Sequence, residues 1–173
     1  MASSNNIKAK RFWPVLLTVL LLDCSTKRLA VEALSPPDVP HDVVGDVFRL
    51  TLAYNRGMAT GIPVGSRWLL TGAAVVVIGI LWRAYLRTAP GETVRLIALA
   101  LLTGGAIGNV IDRVRWARGV VDFVDLGVGG VRFWTFNVAD VAVTAGALLL
   151  AWVLQNRPEA PIEVEAKGPD TAA

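Results

Sequence analysis

Histidine and cysteine each occur once in the 173 residues, and their scarcity removes several chemistries. One cysteine cannot close a disulfide within the chain. One histidine and one cysteine argue against a soft-metal site, and neither metal nor cofactor is expected. Serine catalysis needs a base, usually histidine. His41 has no clear serine partner and reads as an ordinary loop residue. Charge is thin as well. Only 18% of residues are charged, for a net charge of +3. The basic residues form no dense patch with interleaved aromatics, which argues against a nucleic-acid partner. There is no solenoid-type repeat and no separate soluble domain.

What the chain has in excess is apolar. Hydrophobic residues make up 54% and the mean hydropathy is +0.52, whereas soluble domains run at about 45–50% apolar even with glycine counted. The excess suggests a membrane as solvent. Four apolar segments stand out, at residues 12–34, 68–86, 94–111 and 138–154. A spanning helix needs roughly 20 mainly apolar residues to cross about 30 Å of hydrocarbon. The first segment reaches that length only if Asp23, Thr26, Lys27 and Arg28 are included.

That first segment contains "VLLTVLLLDCSTK", residues 15–27, after a basic start at Lys8, Lys10 and Arg11. It imitates a bacterial lipoprotein signal peptide, whose cysteine is lipidated. A cleavage site wants small residues ahead of the cut. Asp23 is charged and Leu21 and Leu22 are large, so an uncleaved helix is expected, with Cys24 as a small packing residue.

Charge orients the segments. Lys8, Lys10 and Arg11 precede the first, "RAYLRTAPGETVR" joins the second to the third, and Arg157 follows the fourth. The positive-inside tendency puts these places in the cytoplasm, with both termini. The outer loops, 35–67 and 113–136, also hold arginines (Arg49, Arg56, Arg113, Arg115), so the bias is moderate. In the first, "VFRLTLAYN" has period-two apolar alternation, which suggests strands. In the second, Trp116, Phe133, Trp134 and Phe136 suit a membrane interface. The expected architecture is an all-α membrane protein: a four-helix transmembrane bundle with a small extracytoplasmic sheet in the first outer loop. It forms one domain over residues 1–157, followed by a disordered cytoplasmic tail at 158–173.

On this topology the polar residues converge. Asp23, Asn55, Asn109, Asp112, Asp122, Asp125, Asn137 and Asp140 all fall near the outer surface. Asn109 and Asp112 are three apart, as are Asn137 and Asp140, and each pair shares a helix face. Asp23 and Lys27 are four apart in the favourable acid-then-base order. Ionisable groups inside membrane helices face a bundle interior or a watery cavity, so Asp23 and Asp140 should point inward. Two carboxyls held close share one proton. The ionised one can take a proton from water while the other donates to a peptide carbonyl, which hydrolyses an amide. Spacing leaves open which of Asp112, Asp122 and Asp125 partners Asp140. It also leaves open a structural role, or a small transporter or channel built on the same cluster.

Taken in order, "LLDCSTK", "NRGMATG", "GGAIGNVIDR", "GVVDFVDL" and "FNVADV" resemble the lipoprotein signal peptidases, across residues 13–152. The resemblance implies an inner-membrane aspartyl endopeptidase with four transmembrane helices and a cradle over the substrate. Such an enzyme cleaves prolipoproteins just before the diacylglyceryl-cysteine. It further implies Asp122 and Asp140 as the catalytic pair, and Asp23, Asn55, Asn109, Asp112, Arg113 and Asn137 as supporting or substrate-binding residues. Lipidated signal peptides and membrane lipid are the expected partners of a monomer. The chain departs from the family in an extra residue between Asp112 and Asp122, expected to bulge the second loop, and in Thr60, where an aromatic is usual. Asn55, Asn109 and Asn137 can bond substrate backbone or orient the carboxyls. Arg113 can bind a substrate carbonyl or hold Asp112. Gly104, Gly105 and Gly108 permit close helix approach.

Overall fold

A computed structural model describes residues 2–57 and 67–156; Thr60 and the tail at 158–173 lie outside them. Among the described residues four α-helices carry most of the chain: α1 (Ala2–Ala33), α2 (Arg67–Arg87), α3 (Thr93–Arg115) and α4 (Val138–Gln155). Among the described residues, α2, α3 and α4 are long and apolar enough to cross a membrane, with mean hydropathies of 1.9, 1.8 and 1.8. The charges of α1 keep it below that mark. Its helix starts ten residues before the apolar segment, and Pro36 and Pro37 follow its end, where the backbone cannot stay helical.

Helix α3 sits in the middle and packs against the other three. Small residues make this possible. An added Cβ at Gly104 would lie 3.1 Å from Val19 of α1, and one at Gly105 would collide with the Ala139 carbonyl of α4. The glycines therefore set the helix spacing. We expect Gly105→Ala to destabilise the fold by about 1–3 kcal/mol through overpacking. Gly72→Ala on α2, where a Cβ meets nothing within 4 Å, should be neutral or stabilising by up to about 1 kcal/mol. Thermal unfolding in detergent separates the two.

The ends of the bundle differ. At one end Phe12, Tyr85, Leu96 and Leu99 form a buried cluster. There Lys8 Nζ donates to the Leu86 carbonyl at 3.1 Å and Arg11 to that of Pro90 at 2.5 Å, which ties the start of α1 to the α2–α3 turn. That turn also shares a groove with Trp152 and Asn156, so α4 finishes there.

A four-stranded antiparallel sheet covers the opposite end: β1 (Pro40–Val44), β2 (Phe48–Asn55), β3 (Val120–Val128) and β4 (Val131–Arg132), paired in that order. Leu52, Val121 and Phe123 pack on Ala30 and Leu34. The sheet is thus not confined to the first connection, since half of its strands come from residues 113–136. That region is also less of a loop than expected, because α3 runs on to Arg115. An irregularity lies in β2, where Leu50 and Ala53 face Val124 and Asp122. A turn between α3 and β3 is closed by Gly119, whose φ of 106° excludes most side chains and whose Cβ would strike the Asn55 carbonyl.

Candidate active site

Asn137 joins the two ends of the polar cluster. As the N-cap of α4, its Oδ1 accepts from the Asp140 amide at 3.0 Å, while Asp140 Oδ2 accepts from the Asn137 amide at 3.1 Å. This reciprocal capping box satisfies two helix-end donors and places an acid in the first turn. The Asn137 side-chain amide donates to Asp122 Oδ1 at 2.7 Å and also reaches Asn109 Oδ1 at 3.1 Å. Asn109 Nδ2 in turn donates to Asp140 Oδ1 at 2.9 Å. Asp122 on β3 and Asp140 on α4 therefore flank a single asparagine.

The other acids are taken. Asp125 is held by Arg132 Nη2 at 2.7 Å and accepts from Thr51 at 3.1 Å. Lys27 Nζ lies 2.9 Å from Asp112 and 2.8 Å from Asp23. Asp112 also accepts from the Val121 amide at 3.2 Å, and Asp23 from the Ala139 amide at 2.9 Å. Asp23 thereby adds negative charge at the start of α4, where the helix dipole favours it. Among the described residues, no ion pair includes Asp122 or Asp140.

Lys27 is the residue that the sequence reading left out of the site. It is 4% exposed and donates a third contact, to Asn109 Oδ1 at 3.0 Å. Its signal was present: a lysine inside an apolar run, four residues after an acid. Because Lys27 holds Asp112, Arg113 does not. Arg113 donates to the Asn109 carbonyl at 3.4 Å and lies within electrostatic reach of Asp140, Asp122 and Asp112. Asn55 turns its Oδ1 to the Gly57 amide at 2.8 Å and bonds Asp122. Cys24 is exposed rather than packed, because it follows the buried Asp23 on the outward face of α1. His41 stands exposed on β1.

Asp122 is 1% exposed. Burial raises its carboxyl to about 7, the negative charge of Asp140 adds to the rise, and bonds from Asn55 and Asn137 oppose it. A carboxyl so placed holds a proton in mild acid and gives it up near neutrality.

Two grooves meet at the pair. Asp122 lines one of about 740 Å³ with Tyr54, Asn55, Arg118 and Trp134. Asp140 lines another of about 390 Å³, mostly apolar, with Phe136, Val141, Ala145 and Leu148. Trp134 borders both.

The family described as signal peptidase (SPase) II matches residues 15–155. The chain is 42% identical over 143 residues to a lipoprotein signal peptidase of Mycobacterium avium, a match covering 79% of this chain and 74% of that one. It is 41% identical over 138 residues to one of Halothermothrix orenii, covering 79% and 89%. Its fold resembles that of a solved bacterial membrane enzyme with a TM-score of 0.74 at 28% identity, over 83% of this chain and 92% of that one. The chain belongs to the signal peptidase II family.

Proposed function

We propose that this protein is an intramembrane aspartyl endopeptidase that removes the signal peptide from prolipoproteins. It cuts just before the diacylglyceryl-modified cysteine, with Asp122 and Asp140 as its catalytic pair. The observation that carries the reading is the pairing itself: two carboxyls that share one asparagine and, among the described residues, are in no ion pair, while the neighbouring acids are clamped. The family and its curated relatives support the substrate, and they give the transporter reading no support.

The burial of Asp122 divides the labour. Both Asp140 oxygens accept, one from a backbone amide and one from Asn109, whose own oxygen is held by Lys27. That suits the carboxylate form and makes Asp140 the base. Asp122 holds the proton. Asp140 takes a proton from water, the water oxygen bonds to the scissile carbonyl carbon, and Asp122 protonates the carbonyl oxygen. When the tetrahedral intermediate collapses, the C–N bond breaks, Asp140 passes its proton to the leaving amine, and Asp122 recovers its own from the diol.

The grooves fit such a substrate. An apolar signal segment lies along α4 beside Asp140, and the polar chain beyond the cysteine passes under the sheet beside Asp122. On this reading α1 is a fourth span, its exposed Leu17, Leu21, Leu22 and Leu29 facing lipid. The basic end with Lys8, Arg11 and both helix termini is cytoplasmic, and the sheet and pair lie at the outer face of the inner membrane. Both carboxyls come from one chain, so a monomer suffices.

The test is incubation of the purified protein with a lipidated precursor, followed by product mass. A new N-terminus at the lipidated cysteine is expected. Ion flux without cleavage would overturn the reading. Since Asp122 must be protonated to act, kcat/KM should be level in mild acid and fall about tenfold per unit above about pH 7. A profile still flat two units higher would contradict the role given to Asp122.

A further inference from the structure

Four arginines gather beside the pair, and of them only Arg113 feels nearby carboxyls, those of Asp140, Asp122 and Asp112. A groove of about 390 Å³ is lined by Arg56, Arg67 and Arg113, together with Asn55 and Trp68. Asn55 and Arg56 also line the groove of Asp122, so the two are continuous, and Arg118 stands at that second mouth. Among the described residues, none of the four arginines is in an ion pair. Arg67 instead stacks 4.4 Å from the centre of the Trp68 ring, and Arg118 lies 5.5 Å from that of Tyr54. Residues 58–66, which connect Arg56 to Arg67, contain no acidic side chain.

Unpaired guanidinium groups sharing one cavity repel each other, and an anion relieves that repulsion. Arginine's planar fork suits phosphate oxygens, two at a time. The depth of the groove selects the source. Arg67 and Trp68 open α2, a helix apolar enough to span a membrane, and Trp68 and Leu69 are 61% and 66% exposed on its flank. Tryptophan and arginine in that place mark the headgroup layer. Among the described residues no carboxylate lines the groove, so the ammonium of a zwitterionic lipid finds no counter-charge on its wall.

We infer that the Arg56–Arg67–Arg113 groove binds the phosphate of an anionic glycerophospholipid, seating one lipid headgroup beside the catalytic pair. The inference rests on the membrane placement above and not on the chemistry of Asp122 and Asp140.

The test reads lipid retention directly. The full chain is reconstituted in nanodiscs of phosphatidylcholine containing a minor share of phosphatidylglycerol, and retained lipid is counted by native mass spectrometry. We expect the wild type to retain phosphatidylglycerol preferentially. Arg56→Gln and Arg67→Gln should each weaken that preference about fivefold, the effect of one basic residue at an anionic lipid surface. Arg28→Gln, on exposed α1, should leave it unchanged. Thermal unfolding followed by circular dichroism in the same discs reports that the variants are folded. If a glutamine variant does not fold, Arg67→Lys serves in its place and should keep most of the preference, since the charge is retained.

Equal retention of both lipids by the wild type, or an unchanged preference in the two glutamine variants, would overturn the inference. So would displacement of the lipid by millimolar inorganic phosphate, which would mark a plain phosphate site. An arginine-dependent preference for precursors with acidic residues after the cysteine, without lipid retention, would assign the groove to the peptide instead. Because retention is measured without any cleavage, failure of the peptidase reading and failure of this one are told apart.

Discussion

Asp122→Asn and Asp140→Asn, each alone, are expected to lower kcat on a lipidated precursor by about 10³-fold or more, since positioned acid and base groups contribute about 10²–10⁴-fold each. Asparagine preserves the shape of either side chain. At position 140 its oxygen can still accept from the Asn137 amide and keep the capping box, and at position 122 it can still accept from the Asn137 side chain. Unfolding temperatures should therefore change little while activity collapses. The double variant should be scarcely worse than either single one, because the two carboxyls work as a unit and their losses do not add. Single-turnover cleavage, followed by product mass, measures all three. A single variant within tenfold of the wild type would end the proposal.

Lys27→Met is expected to be the most damaging substitution outside the pair. It keeps the length of the side chain and removes the charge. Asp23, fully buried, and Asp112, nearly so, would then face each other without a cation. Breaking a buried pair from one side costs about 3–5 kcal/mol. Asn109 would also lose one of the two donors that fix its oxygen, leaving its amide free to swing from Asp140. A misplacement near 1 Å costs about 10²-fold in rate, so activity should fall by that order even in the folded fraction. The double variant Lys27→Met/Asp112→Asn removes a stranded carboxylate and should recover part of the stability but little of the rate. That split distinguishes positioning from mere stability. Equal recovery of both would reduce Lys27 to a structural part.

The helices were legible because each is a long apolar run, and length alone decides such segments. Asp23–Lys27 was legible for a local reason, since four residues of helix bring the two side chains together whatever surrounds them. The Asn137–Asp140 spacing was also legible, although the two meet as a reciprocal cap rather than as neighbours on one face. Asn109 and Asp112 share a spacing and meet at Lys27, although Asn109 also turns its amide to Asp140. What remained hidden depends on contacts far apart in the chain. β3 forms because β2, some seventy residues earlier, offers an edge, and its short run "VVDFV" carries no alternation to announce it. The reach of Lys27 to Asn109, 82 positions away, is invisible for the same reason. The choice of Asp122 over Asp112 and Asp125 came from resemblance. The clamps on the other two acids now supply a physical ground for it.

The tie between the start of α1 and the α2–α3 turn, with α4 finishing beside it, has a practical meaning. Reporter proteins or surface tethers fused beyond either helix would emerge at the far pole of the bundle. The stretch of α4 from Asp140 to Gln155 alone puts roughly 22 Å between such cargo and Asp140. Immobilised arrays built this way would present every molecule with its cleft unobstructed and pointing away from the support.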